Sequence, residues 1–214
     1  MRTKLLCACA ALGIAAAGSA CAAESTALPQ PEKLAPFARR ASAAEFSSEA
    51  VPAEKLSALL WAANGINRAE IGKRTAATAI NAQEIEIYVV ASDGASLAEI
   101  GADSVALRKI SAKDLRAAVA DRQTDFAKAP ILLLLVADLE KFAKLPPDGA
   151  LRAACIDTGG VMQNILLAAT TLGLDARPRM SMDAATLAKE LAIPATKLPL
   201  INIPIGVPAA APAE

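Results

Sequence analysis

Residues 72–90 read GKRTAATAINAQEIEIYVV, and the segment changes character halfway along. From Glu84 to Val90, Ile85, Ile87 and Val89 alternate with Glu86 and Tyr88, the period-two pattern of a half-buried strand. The small and polar residues before Glu84 read as a loop feeding that strand. Upstream, Pro52 opens a helix to Ala63 with Leu56, Leu59, Leu60 and Ala63 at helical spacing, closed by Asn64-Gly65. Downstream, Ser96 to Ile110 predicts a hairpin turning at Gly101-Ala102-Asp103. Ser111 with Asp114 predicts a capping box and a helix through Val119. Ile131 to Val136 is continuously apolar and short, as a central strand buried on both faces would be. Gly149 to Leu172 reads as the longest helix; Gly159-Gly160 inside it costs roughly 1 kcal/mol per glycine relative to alanine. A close helix crossing and a nearby ligand explain that pair equally well. Asp183 to Leu191 predicts a further helix, and Leu198 to Ile205, interrupted by Pro199 and Pro204, an edge strand. Strands and helices interleave, so the expected class is α+β: a mixed, largely antiparallel sheet flanked by helices.

Composition narrows the chemistry. Hydrophobic residues make up 54% of 214, enough for one well-packed domain. Lys+Arg 22 balances Asp+Glu 22 and aromatics are 3%, so nucleic acid is not an expected partner. There is no histidine, which excludes Ser-His-Asp and Cys-His catalytic pairs. With Cys7, Cys9 and Cys21 at the N-terminus and only Cys155 elsewhere, no metal site is expected and no internal disulfide in the remainder. Cys155 reads as buried packing on the long helix, and Trp61 as core or subunit interface.

The N-terminus has the three parts of a secretion signal: basic Arg2 and Lys4, apolar Leu5 to Ala17, then Ala20-x-Ala22 as a small-x-small cleavage site. The expected layout is a signal peptide over 1–22, a flexible leader over 23–34, the folded domain over 35–206 and a disordered tail over 207–214. A periplasmic or secreted product follows. Lipidation at Cys21 would anchor the protein to a membrane, although Gly18 occupies the place where a lipobox carries a branched apolar residue.

Several runs resemble the nitroreductase superfamily of FMN-dependent enzymes. Arg39-Arg40-Ala41-Ser42-Ala43-Ala44-Glu45-Phe46 is similar to its opening, and Gly72 to Ile85 to its loop before a strand. Leu59-Leu60-Trp61-Ala62-Ala63-Asn64-Gly65-Ile66-Asn67-Arg68 and Asp157 to Asn164 are similar to a short, often exported branch. The resemblance implies a nitroreductase-like sandwich assembled as a homodimer, with FMN at the subunit interface. NAD(P)H or another donor would reduce the flavin, and a small-molecule acceptor such as a nitroaromatic or quinone would take the electrons. The alternative is a divergent relative with weak or lost flavin binding that serves as a periplasmic binding or interaction protein.

The resemblance places Arg40 and Ser42 at the FMN phosphate, and a guanidinium fork with a hydroxyl suits phosphate oxygens. Asn81 and Gln83 fall on positions whose amides face the flavin edge, and Thr78 on a serine of the same loop. Arg39 and Arg74 are further candidates. Ala44 stands where the family has a second basic residue, Ala77 where it has a proline, and residues 207–214 carry no Lys or Arg. A dianion held by Arg40 and Ser42 alone is under-neutralised, so weaker FMN binding than in better-equipped relatives is expected unless Arg39, Lys73 or Arg74 contributes.

Overall fold

The protein was analysed as a computed structural model that describes residues 29, 30 and 32–209. The expected signal peptide, most of the leader and the end of the tail lie outside these residues.

Period two governs the centre. β3 (Ile85–Ala91) and β6 (Ile131–Asp138) pair antiparallel with Val89 opposite Leu133, and β8 (Lys197–Gly206) continues the row with Ile203 opposite Leu133. β4 (Gly94–Ile100) and β5 (Val105–Ser111) form the expected hairpin on the β3 side, and β7 (Asp175–Ala176) pairs with the far end of β8. The order is β5-β4-β3-β6-β8-β7, and all five pairings are antiparallel. The continuous apolar run of β6 now has its reason. Leu133 and Leu135 face α2 (Ala53–Asn64) and α4 (Pro147–Thr171), while Leu132, Leu134 and Val136 face α3 (Arg116–Ala120) and α5 (Ala184–Glu190). Helices cover both faces, and each fully buried leucine contributes about 1.5–3 kcal/mol.

Four expectations are corrected. Ser111 does not cap a helix: it ends β5 opposite Ala95, and Asp114 instead accepts from Arg116 N at 3.0 Å, so α3 is a short helix. β8 is not the outer strand; β7 covers one end of it, and Pro199 and Pro204 pair with Val136 and Leu132. The tail begins later than 207, since Ser47 N donates to Val207 O at 3.0 Å and Phe46 bridges to Pro208. Cys155 is exposed, on an outward face of α4.

Trp61 on α2 donates its indole N–H to Ala102 O at 2.7 Å, fastening the tip of the β4–β5 hairpin to the helix. Gly65 follows the helix, and a side chain there would clash, since a Cβ would lie 2.6 Å from Trp61 Cδ1. Gly65 O then accepts from Thr75 N at 2.8 Å, and Ile66 N donates to Gly101 O at 3.1 Å, so α2, the hairpin tip and the loop after it share one seam.

Candidate functional site

The loop expected to carry the chemistry hangs from a small ribbon, β1 (Ile66–Arg68) paired with β2 (Lys73–Arg74). Arg74 Nε donates to Gln83 Oε1 at 2.9 Å, and its Nη1 to Asn64 O at 2.6 Å and Ile100 O at 3.3 Å. Gln83 Nε2 donates to Gly72 O at 2.8 Å. Thr78 Oγ1 accepts from Gln83 N at 3.1 Å, and Thr78 O accepts from Asn81 N at 3.1 Å. These bonds hold Ile80, Asn81 and Gln83 at φ of 49°, 59° and 52°. Left-handed backbone at non-glycine residues costs about 1–2 kcal/mol each, so the loop is shaped by its surroundings and not by local preference.

Arg74 and Gln83 were expected on a flavin, but their side chains are mostly spent on the protein itself. They brace the loop. Burial also pulls the Arg74 guanidinium below its usual pKa. Asn81, by contrast, is exposed, and among the described residues its side chain accepts only a long hydrogen bond from Gln83 Nε2 at 3.4 Å. Arg68, Lys73 and Arg74 line a hollow of about 190 Å³ beside Thr78 and Asn81, with no acidic residue in its wall.

The loop is also tied from beneath. Ala79 N donates to Asp157 Oδ2 on α4 at 2.7 Å. Asp157 and Glu84 are both buried, and burial, reinforced by the Asp157 charge, pushes the Glu84 carboxyl up to about 7.

A second group of residues forms around the N-terminal segment. α1 (Ala35–Arg39) ends at Arg40, and the chain then runs beside β7, with Ala43 N donating to Ala176 O at 3.2 Å. Arg177 Nη1 donates to Ala43 O at 3.1 Å, and its guanidinium stacks 5.3 Å from the Phe126 ring centre. Among the described residues no carboxylate oxygen lies within 4.0 Å of Arg39, Arg40 or Arg177. Arg39 and Ala41 line a hollow of about 160 Å³ with Thr170 and Asp175 at the end of α4. Arg40 and Ser42 do not line it, so the paired arginines serve different surfaces.

The loop meets α4 at Asp157, and Arg39 and Ala41 of the N-terminal segment meet it near Thr170. At 1.5 Å per residue this separates them by about 20 Å along the helix. The structure therefore brings Arg74, Thr78, Asn81 and Gln83 together, and ties Arg177 to Ala43 on the N-terminal segment that carries Arg40 and Ser42, with the two regions apart within one chain.

This architecture matches a known family: a profile described as the nitroreductase family aligns with residues 37–207. The chain belongs to the nitroreductase family. It is 31% identical over 143 residues to a Methanocaldococcus jannaschii protein carrying the name nitroreductase, spanning 64% of this chain and 72% of that one. A nitroreductase crystal structure from Ralstonia eutropha JMP134 superposes with a TM-score of 0.76 at 27% identity, covering 86% of this chain and 89% of that one. A Clostridium acetobutylicum structure described as an NADH oxidase shares the fold, with a TM-score of 0.58 at 20% identity over 82% of this chain and 89% of that one. The chain thus stands among the nitroreductase-family oxidoreductases, on the α+β fold expected for them.

Two residues beside the candidate site went unread in the sequence. Arg177 sits in Arg177-Pro178-Arg179, where two cations around a proline carried a weak signal that they share a surface. Glu84 at a strand entrance reads as a solvated charge, and nothing local reveals the second carboxyl beside it.

Proposed function

We propose that the protein is an exported, homodimeric FMN-dependent oxidoreductase that takes electrons from a donor such as NAD(P)H and passes them to nitroaromatic, quinone or similar acceptors. The observation that carries this reading is the tie of Arg177 to Ala43, three residues after Arg40, with no carboxylate within 4.0 Å of either guanidinium among the described residues. Cations on one segment without acidic partners suit an anion, and Arg177 would supply the charge missing at Ala44 and in the tail. Arg40, Ser42 and Arg177 would hold the phosphate. Asn81 and the Thr78 hydroxyl would meet the ring edge, backed by Arg74 and Gln83. The bound flavin supplies the hydride chemistry. The chain contributes placement, and the positive wall of Arg68 and Lys73 favours negative charge on the ring. No histidine is needed for any of these roles.

Titrating flavin-free protein with FMN and with riboflavin, followed by flavin fluorescence, tests the reading. FMN should bind with a dissociation constant below about 100 µM, near −5.5 kcal/mol, and riboflavin more weakly. No FMN binding at that concentration overturns it and leaves the interaction-protein alternative.

The dimer follows from the same geometry. A flavin reaching from phosphate group to ring group needs the two sets adjacent, and antiparallel apposition of two α4 helices would bring Asp157 of one copy toward Thr170 of the other. α4 offers a face for this: Leu151 is 44% and Ile156 67% exposed, and a Cβ on Gly159 or Gly160 would meet nothing within 4 Å. Among the described residues the glycine pair therefore meets no close crossing. Light scattering at micromolar concentration should give a dimer, and Ile156→Asp should raise its dissociation constant at least tenfold, since a buried unpaired carboxylate costs several kcal/mol. A monomeric wild type would remove both the dimer and the shared site.

Export rests on the N-terminal sequence alone. Intact mass of protein recovered from the periplasm should show a start at Ala23 or Glu24; retention of residues 1–22 would refute cleavage, and a lipid-modified Cys21 would establish the anchored form.

A further inference from the structure

Glu84 is 1% exposed at the entrance to β3, where its carbonyl accepts from Asp138 N at 3.0 Å. Both of its carboxyl oxygens are buried, and neither has a hydrogen-bond donor among the described residues. Its charged neighbour is Asp157 on α4, itself 6% exposed. The other charged groups nearby are engaged elsewhere. Glu86 and Asp138 face Lys197, and Arg74 is tied to Gln83, Asn64 and Ile100. No lysine or arginine comes within 4.0 Å of Glu84 or Asp157 among the described residues.

Two ionised carboxylates in that place would repel each other and leave Glu84 with stranded acceptors. One proton removes the repulsion and gives one of the two oxygens a role. A neutral Glu84 can donate to the Asp157 carboxylate, whose Oδ2 still accepts from Ala79 N at 2.7 Å. Ala79 begins the turn in which Ile80, Asn81 and Gln83 are held at positive φ.

We propose that Glu84 is a positioning residue: carrying its proton, it fixes Asp157 on the Ala79 amide and thereby sets the strained 78–83 loop for the flavin edge. This rests on the reading of that loop as the ring side of an FMN site. Burial first, and then the Asp157 charge, raises Glu84 to about 7. A carboxyl raised in the fold holds its proton more tightly there than in the unfolded chain. The stabilisation is complete below the ordinary glutamate range and is lost as pH rises through about 7. Loop order and FMN affinity should fall together over that interval.

The test compares wild type, Glu84→Gln and Glu84→Ala at pH 6 and pH 8.5. Two quantities are read: backbone hydrogen exchange of the 78–83 segment, normalised to intrinsic rates, and FMN affinity by fluorescence. Wild type should lose protection in this segment and bind FMN roughly three- to tenfold more weakly at the higher pH. Glu84→Gln, whose amide donates at every pH, should show neither change. Glu84→Ala should be loose at both; if it does not fold, the wild-type and glutamine comparison decides alone. The same pH response in wild type and Glu84→Gln overturns the inference. FMN binding that is independent of pH in wild type also overturns it. If the exchange pattern appears but FMN does not bind at either pH, the loop-holding role stands and the flavin reading alone falls.

Discussion

Arg40→Ala is expected to weaken FMN binding by about 2–4 kcal/mol, roughly 30- to 900-fold, with little change in riboflavin affinity. The side chain follows the last turn of α1 and has no carboxylate partner among the described residues, so its removal frees no internal ion pair. The whole cost falls on the bound phosphate, left with Ser42 and Arg177 in a partly desolvated place. Arg177→Gln keeps a donor for Ala43 O but loses the charge, and should cost about 1.5–3 kcal/mol in the same titration. Arg39→Ala should cost clearly less, because Arg39 lines the separate hollow beside Asp175. Comparing FMN with riboflavin isolates the phosphate contribution. Equal FMN affinity in wild type and Arg40→Ala would show that the clamp lies elsewhere.

Arg179→Ala is expected to cost about 3–5 kcal/mol of stability and to lower the melting temperature by roughly 10 °C. Arg179 is 7% exposed, yet no carboxylate pairs with it among the described residues. Its Nε donates to Gln123 Oε1 at 2.9 Å, Nη1 to Asn202 Oδ1 at 2.8 Å and Val119 O at 3.3 Å, and Nη2 to Ala120 O at 2.7 Å. The guanidinium lies 4.8 Å from the Phe126 ring centre. Alanine would strand these acceptors at the junction of α3 and β8 and leave a void against the ring. Lysine restores the charge but not the planar fork, and should recover less than half of the loss. Thermal unfolding followed by circular dichroism measures both variants. A loss below about 1 kcal/mol for Arg179→Ala would mean that the buried cation is offset by its own desolvation.

The elements legible in the sequence were those whose pattern repeats over several turns or residues. The α2 leucines, the alternation of β3, the apolar run of β6 and the length of α4 each imply one partner surface and one period. Ser111 misled because the strand pairing with Ala95 outcompeted a cap worth about 1 kcal/mol. Cys155 misled because α4 is apolar on more than one side: one face meets the sheet, and composition cannot tell core from a face turned outward. Prolines in β8 suggested an edge, yet their missing N–H groups did not prevent pairing with β6. At the candidate site, the grouping of Arg74, Thr78, Asn81 and Gln83 on one loop was readable, whereas the inward commitment of Arg74 and Gln83 was not. Their bonds to Asn64, Ile100 and Gly72 join residues far apart in the chain, and no local spacing encodes them. The same holds for Arg177 at Ala43.

The bond from Trp61 to the hairpin tip has a practical corollary. The chain has one tryptophan, so its intrinsic indole emission has a single origin. That origin is a seam joining α2 to the β4–β5 turn, with Trp61 37% exposed. Emission recorded during denaturation therefore follows the detachment of one hairpin, and a shift in its wavelength need not coincide with loss of the central sheet. Agreement between that optical trace and helical ellipticity would show that the seam breaks with the whole molecule; divergence would show that the β4–β5 corner peels away first.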